Sequence, residues 1–232
     1  MATVLLVRHG RTTANGAGVL AGWTPDIHLD DTGRAQAEGL AARLAGLPLA
    51  AVVSSPLERC QETAALLVDG RGDVPVVAEE RFGECRYGAW TGREIRTLAK
   101  DPLWRTVQAH PSAVTFPGDG GESLRETQAR AVTALREWND RLGPDALYAV
   151  VSHGDVIKAL LADALGLHLD GFQRIVVDPG SLSAVRYTPL RPFVLRINDT
   201  GGDLQGLQPI RRRRRRPAVP ESDAIVGGGP GA

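Results

Sequence analysis

The amino-acid sequence predicts an α/β protein, a three-layer α/β/α sandwich with a mostly parallel central sheet. Three observations predict it. Short apolar runs at residues 3–7, 49–54 and 147–152 have the length of buried strands, and each ends in polar residues. Longer segments between them carry apolar residues at helical spacing. A chain of 232 residues, 43% hydrophobic and 23% charged, can bury one sizeable core without disulfides or metals. Strands alternating with helices of these lengths fold as a sheet covered on both faces.

In chain order, residues 3–7 are a β-branched and leucine run that stops at Arg8-His9-Gly10, a buried strand running into a loop. Residues 32–44 set Ala35, Leu40 and Leu44 among polar positions, with Asp31 or Thr32 available as an N-cap. The strand at 49–54 runs into Ser54-Ser55-Pro56, and residues 57–68 follow with Leu57, Cys60, Ala64, Leu67 and Val68 at helical spacing. Gly and Pro punctuate residues 70–121, where only 94–100 and 102–108 read as short helices; such a stretch suits the lid or walls of a site. Residues 123–142 form the longest helical pattern, stopped by Gly143-Pro144. A third strand at 147–152 runs into His153-Gly154, and a helix over 155–165 has Asp155 placed as its cap. Residues 181–187 and 193–197 read as two more strands, split by a turn at 189–192. No internal repeat shows. The ordered domain is expected to span 1–197, and 198–232 to be a disordered Arg/Gly/Pro-rich tail.

The 27 basic and 27 acidic residues cancel overall but not locally. Residues 211–216 are six consecutive arginines, and residues 1–210 carry 21 basic and 25 acidic side chains, a net of −4. No body-wide positive field argues for nucleic acid. The chain holds 25 arginines against two lysines, so the run reads as compositional bias in a solvated tail. Cys60 and Cys85 lack metal-site spacing and read as free thiols. The apolar run at the N-terminus is too short for a signal peptide, and no stretch reaches the roughly 18 apolar residues of a membrane span. These features predict a cytoplasmic protein with no membrane partner; a homodimer stays open.

Three strands finish in reactive groups, and ligands of open α/β sheets bind beyond the carboxyl ends of strands. If those ends are neighbours, Arg8, His9, Arg59 and His153 converge on one pocket. Two imidazoles and two guanidinium groups without a carboxylate cage suit a phosphate dianion better than a divalent metal.

Arg8-His9-Gly10-Arg11-Thr12-Thr13-Ala14-Asn15 resembles the RHGxTxxN signature of the histidine phosphatase superfamily, which includes phosphoglycerate mutases. Four further blocks follow in that family's order: Gly22-Trp23 with Leu29, Gly33 and Gln36-Ala37; Ser54-Ser55-Pro56-Leu57-Glu58-Arg59 through Thr63-Ala64; Glu84 with Gly88, Trp90 and Gly92; and Gly121-Glu122-Ser123 with Ser152-His153-Gly154. The blocks cover residues 4 to about 187. The resemblance implies a phosphoglycerate mutase-like fold and a histidine acid phosphatase-type phosphoric monoester hydrolase. It would act on a small phosphorylated metabolite through a phosphohistidine, with no metal and no cofactor. His9 would be the nucleophile, its Nδ1–H held by a backbone carbonyl. Arg8, Arg59 and His153 would hold the phosphoryl oxygens. Glu84 would protonate the leaving oxygen, with Glu79, Glu80 and Glu122 as nearby rivals. Thr12, Asn15, Gly22 and the Gly154 amide would bind substrate.

Arg11 stands where many relatives have an acid and is expected to place positive charge at the pocket mouth, favouring a more anionic substrate. Lys158 stands where arginine is common, Ala14 where an aromatic is, and His28 where proline is. His28, His110 and His168 read as structural. Trp23 and Trp90 are expected to line or support the pocket, and Trp104 and Trp138 to pack in the core. The alternatives are mutase-type phosphoryl transfer and a non-catalytic phosphate-binding protein. Mutases of the family carry a longer insertion with paired arginines, which the stretch from Trp104-Arg105 to Ser123 lacks.

Overall fold

The computed structural model describes residues 2–201. Its centre is a six-stranded sheet in the order β3-β2-β4-β1-β5-β6, built from β1 (Thr3–Arg8), β2 (Val52–Ser54), β3 (Val76–Ala78), β4 (Leu147–Ser152), β5 (Leu182–Tyr187) and β6 (Pro192–Asp199). The first four strands pair in parallel, and β5 and β6 add two antiparallel pairings at one edge. The helices are α1 (Thr13–Gly16), α2 (Asp31–Leu44), α3 (Glu58–Val68), α4 (Ile95–Leu98), α5 (Leu103–Ala109), α6 (Leu124–Leu142) and α7 (Gly154–Ala164).

Side-chain alternation along β1 sorts the two outer layers. Leu5 and Val7 join Leu40 and Leu44 of α2 and Ala64 and Leu67 of α3 on one face. Val4 and Leu6 join Leu135 of α6, Leu160 of α7 and the aromatic residues of the irregular 80–116 segment on the other. Strands buried on both faces need apolar residues at every position, which is why β1 and β4 read as unbroken apolar runs. The helix α6 opens with a capping box, Ser123 accepting from Glu126 N while the Glu126 carboxylate accepts from Ser123 N, and closes at Gly143 with φ 80°.

Most predicted elements form within a residue or two of expectation. The strand β3 went unread: it is three residues long, half-exposed, and preceded by Pro75, so it carries no apolar pattern. The cap of α2 is Asp30, whose carboxylate accepts from Gly33 N at 2.8 Å, and neither Asp31 nor Thr32 takes that place. Asp155 does not cap α7; it turns inward and accepts from the Tyr87 hydroxyl at 2.9 Å. The last strand runs two residues past the expected boundary at 197. Asn198 Nδ2 donates to Asp178 at 2.8 Å and Arg43 donates to Asp199 at 2.8 Å, tying those residues to the body. Residues 202–232 of the predicted tail, with the arginine run at 211–216, lie outside the described residues. No helix among the described residues is long and apolar enough to cross a membrane.

The loop after β1 lies directly on the first turn of α2. A Cβ at Gly33 would be driven into the Arg11 carbonyl, whereas one at Gly39, exposed in the middle of the same helix, would meet nothing. Gly33→Ala should therefore cost roughly 2 kcal/mol or more by overpacking, and Gly39→Ala should add about 0.5–1 kcal/mol through helix propensity and a less free unfolded chain. Urea midpoints of the two variants, moving in opposite directions, check this.

Candidate active site

The parallel register sets Arg8 of β1 beside Ser152 of β4, and Ser54 of β2 beside Val151, so three strands end side by side at the middle of the sheet. The residues just beyond them, His9, His153 and Ser55, are consequently neighbours. The His9 amide donates to Ser152 O at 3.0 Å, and its Nδ1 lies 2.7 Å from Gly10 O. A carbonyl can only accept, so Nδ1 carries the proton and Nε2 keeps its lone pair. The His9 and His153 rings meet edge to face, centroids 5.2 Å apart.

On the far side of His153, Nδ1 lies 3.3 Å from Arg59 Nη2 and Nε2 lies 2.8 Å from Ser55 Oγ. Because Arg59 can only donate, His153 carries its proton on Nε2, towards Ser55. Arg59 Nη2 also donates to Gly22 O at 2.8 Å, while its Nη1 is buried with no hydrogen-bond partner among the described residues. Arg8 donates to Val177 O at 2.7 Å. The four side chains expected to converge do so, and all are buried. A buried guanidinium N–H beside two imidazoles is suited to donate to an anionic acceptor.

Burial first, and then the charges of Arg59 and Arg8, hold the His9 pKa well below the ordinary imidazole value. His153 is pushed the same way by burial, Arg59, His9 and Arg8. Both rings are neutral at pH 7. Glu84 approaches His153 from the irregular segment, Oε2 3.8 Å from Nδ1, with Oε1 accepting from Cys85 N at 2.9 Å. Burial and the charge of Asp155 push its pKa up to about 7, against the pull of Arg59 and Arg8. The rivals are occupied elsewhere. Glu79 is held down to about 2 by hydrogen bonds from Arg81, Glu80 is exposed beside Arg86, and Glu122 accepts twice from Arg130. Among these four only Glu84 reaches the histidines.

Other expected site residues play different parts. Thr12 and Asn15 form the capping box of α1: the Thr12 hydroxyl donates to Asn15 Oδ1 at 2.9 Å and accepts from Asn15 N at 3.2 Å, so local capping occupies both sides of it. Gly22 contributes a carbonyl to Arg59, and Gly154 opens the first turn of α7. The Arg11 charge is offset by Asp30 at 2.8 Å, with Thr32 also accepting from it, which removes the expected free positive charge at the mouth. His28 is tied to Glu62. Trp23 supports the site directly, its Nε1 donating to Glu84 O at 2.6 Å; Trp90 lies in the core against Trp104 and Phe116. Trp138 is likewise buried in the core. Cys60 and Cys85 are free and buried, and burial pushes the Cys60 thiol up to about 12.

Three participants carried no usable signal in the sequence. Ser55 was visible only within a motif, Asp155 looked like a cap, and nothing in the sequence set Arg130 apart. Among the described residues no three or more His, Cys, Asp or Glu side chains gather as a metal ion would require.

Residues 4–200 match the profile of the histidine phosphatase superfamily (branch 1). The chain is 30% identical to phosphoserine phosphatase 1 of Hydrogenobacter thermophilus over 86% of its own length and 93% of that protein. It is 32% identical to the 2,3-bisphosphoglycerate-dependent phosphoglycerate mutase of Methylobacterium sp. (strain 4-46), over 71% of its length and 81% of that protein. The structure of Bacillus stearothermophilus YhfR superposes with a TM-score of 0.78 at 27% identity, over 86% of this chain and 98% of that one.

The raised Glu84 pKa makes a stability prediction. In the folded chain the carboxyl keeps its proton up to about pH 7, while unfolded it ionises near 4.5. Between those values the folded state binds more protons, so its stability falls as pH rises through that window. Glu84→Gln removes this term, so its stability relative to wild type should rise as pH goes from 4.5 to 8. Paired thermal unfolding curves across pH 4.5–8 measure it.

Proposed function

Because this chain belongs to the histidine phosphatase superfamily (branch 1), we propose that it hydrolyses a phosphomonoester of a small metabolite through a phosphohistidine on His9, without a metal or cofactor. The observation that carries this is the His9 ring: neutral, with Nδ1 tied to Gly10 O and Nε2 bearing the lone pair, buried in one cluster with Arg8, Arg59 and His153. Nε2 attacks phosphorus in line as the ester P–O bond breaks. The guanidinium groups stabilise charge on the equatorial oxygens, which is where phosphoryl transfer needs it, and His153 packs against Arg59 at 3.3 Å. Glu84, poised near pH 7, gives its proton to the departing alkoxide. As a carboxylate it then takes a proton from the water that displaces His9 from phosphorus, and inorganic phosphate leaves.

Phosphatase and mutase relatives share this machinery. Hydrolysis is favoured by the stretch between Trp104 and Ser123, which is short and has Arg105 as its one arginine. A non-catalytic binder would have no use for a carboxyl tuned this way against a neutral imidazole. The two reduced, buried cysteines fit a cytoplasmic setting.

Incubation with a ³²P-labelled phosphomonoester in the presence of EDTA should label the wild-type chain with an acid-labile, alkali-stable phosphoryl group, and His9→Ala should take up none. Turnover retained by His9→Ala would exclude the mechanism, and a parallel mutase assay separates transfer from hydrolysis. Glu84→Gln should lower kcat/KM for alkyl phosphates by about 10²–10⁴-fold and for p-nitrophenyl phosphate far less, since a good leaving group needs no proton. Equal losses on both substrates would assign the proton to another group.

A further inference from the structure

The carboxyl that must deliver a proton hangs from a segment with no strand pairing. Residues 81–84 pass from a single 3₁₀ turn into an irregular loop, so their carbonyls need partners from outside. Each finds a side chain. Arg130 Nη1 donates to Arg81 O at 2.6 Å and Gly83 O at 2.9 Å, Ser152 Oγ donates to Phe82 O at 2.7 Å, and Glu84 O receives Arg130 Nη2 at 3.0 Å and Trp23 Nε1 at 2.6 Å. Arg130 thus supplies three of the five bonds. Its remaining donors grip the Glu122 carboxylate, Nε at 2.6 Å and Nη2 at 3.0 Å, which fixes the plane of the guanidinium. The same Glu122 carboxylate accepts from Arg86 N at 3.1 Å, closing the clasp on the other side of Glu84. Trp23 wedges the loop from beneath, where a Cβ on Gly83 would be driven into its ring.

Building on the assignment of Glu84 as the proton donor, we infer that Arg130 is a positioning residue of this active site, whose guanidinium fork sets the depth and direction of the Glu84 carboxyl by holding the backbone of residues 81–84. Arg130 touches no reacting atom. It lies on α6, locked to the rest of the fold by buried Leu135 and Trp138, and so joins a rigid element to a loop that has no rigidity of its own. The work requires a planar group with several fixed donors, so the point charge of a lysine cannot replace it.

The test compares wild type, Glu84→Gln, Arg130→Lys and Arg130→Ala on p-nitrophenyl phosphate and glycerol 2-phosphate. Both Arg130 variants should lower the alkyl-to-aryl ratio of kcat/KM at least tenfold, in the direction of Glu84→Gln. Arg130 lines an open groove of about 490 Å³ with Gly121 and Ala129, so millimolar guanidinium should reach the vacated space in Arg130→Ala and restore the ratio. Thermal unfolding identifies any variant that fails to fold. Equal losses on the two substrates would leave Arg130 a purely structural residue and overturn the inference. If Glu84→Gln itself leaves the ratio unchanged, the assignment of Glu84 fails, and a readout independent of turnover decides about Arg130. A ¹³C NMR titration of the Glu84 carboxyl, identified by its absence in Glu84→Gln, should show the midpoint of about 7 falling towards 4.5 in Arg130→Lys, because a loosened loop lets water in while the charge is kept. An unmoved midpoint in that variant would overturn the positioning role on its own.

Discussion

Arg8 and Arg59 are both nearly inaccessible to solvent, packed beside two imidazoles that must stay neutral. Burying a guanidinium without a matching partner is expensive, and the molecule spreads the compensation over several groups. Carbonyls of Val177 and Gly22 accept from the two arginines. Glu84, Asp155 and Asp178 lie close enough for their charges to favour the protonated Arg8, although burial still pulls its pKa down. One Arg59 N–H is left over. The same positive field keeps His9 deprotonated, as the proposed attack on a phosphoryl group requires.

Sheet order makes the cluster possible. The strand β1 lies between β4 and β5, and β4 lies between β1 and β2, so the three strands with polar ends are consecutive across the sheet although far apart in sequence. Hydrogen-bond register then matches those ends to within a residue. Because the strands are buried on both faces, a shift of register would drive Leu5 and Val7 out of one layer and Val4 and Leu6 out of the other. Packing thereby sets the strand ends, and the bonds to Gly10 O and Ser55 Oγ orient the two rings.

The acid arrives by a different route. Glu84 comes from a segment without regular structure, so its place depends on side chains reaching in from α6, β4 and the loop before α2. Asp155 works at a further remove. It accepts from Tyr87, lies 3.6 Å from Lys158, and its charge adds to burial in raising the Glu84 pKa. A carboxyl tuned by a second buried carboxylate depends on contacts between residues about seventy positions apart.

Local pattern was enough to place every long helix and five of the six strands, because buried strands and amphipathic helices write their periods into the chain. It was also enough to single out Arg8, His9, Arg59 and His153, since reactive residues at strand ends stand out against apolar runs and the motifs around them are distinctive. It failed where the deciding contact was distant. Asp155 looked like a helix cap until Tyr87 was found against it, Arg11 looked like free charge until Asp30 was found beside it, and the exposed β3 carried no burial pattern at all. Residue order alone established which groups this protein has for its chemistry and the scaffold that carries them. Which glutamate is buried against the histidines, and which arginine bonds to its backbone, emerged with the folded chain, because burial and hydrogen-bond partners are properties of the assembly and leave no period in residue order.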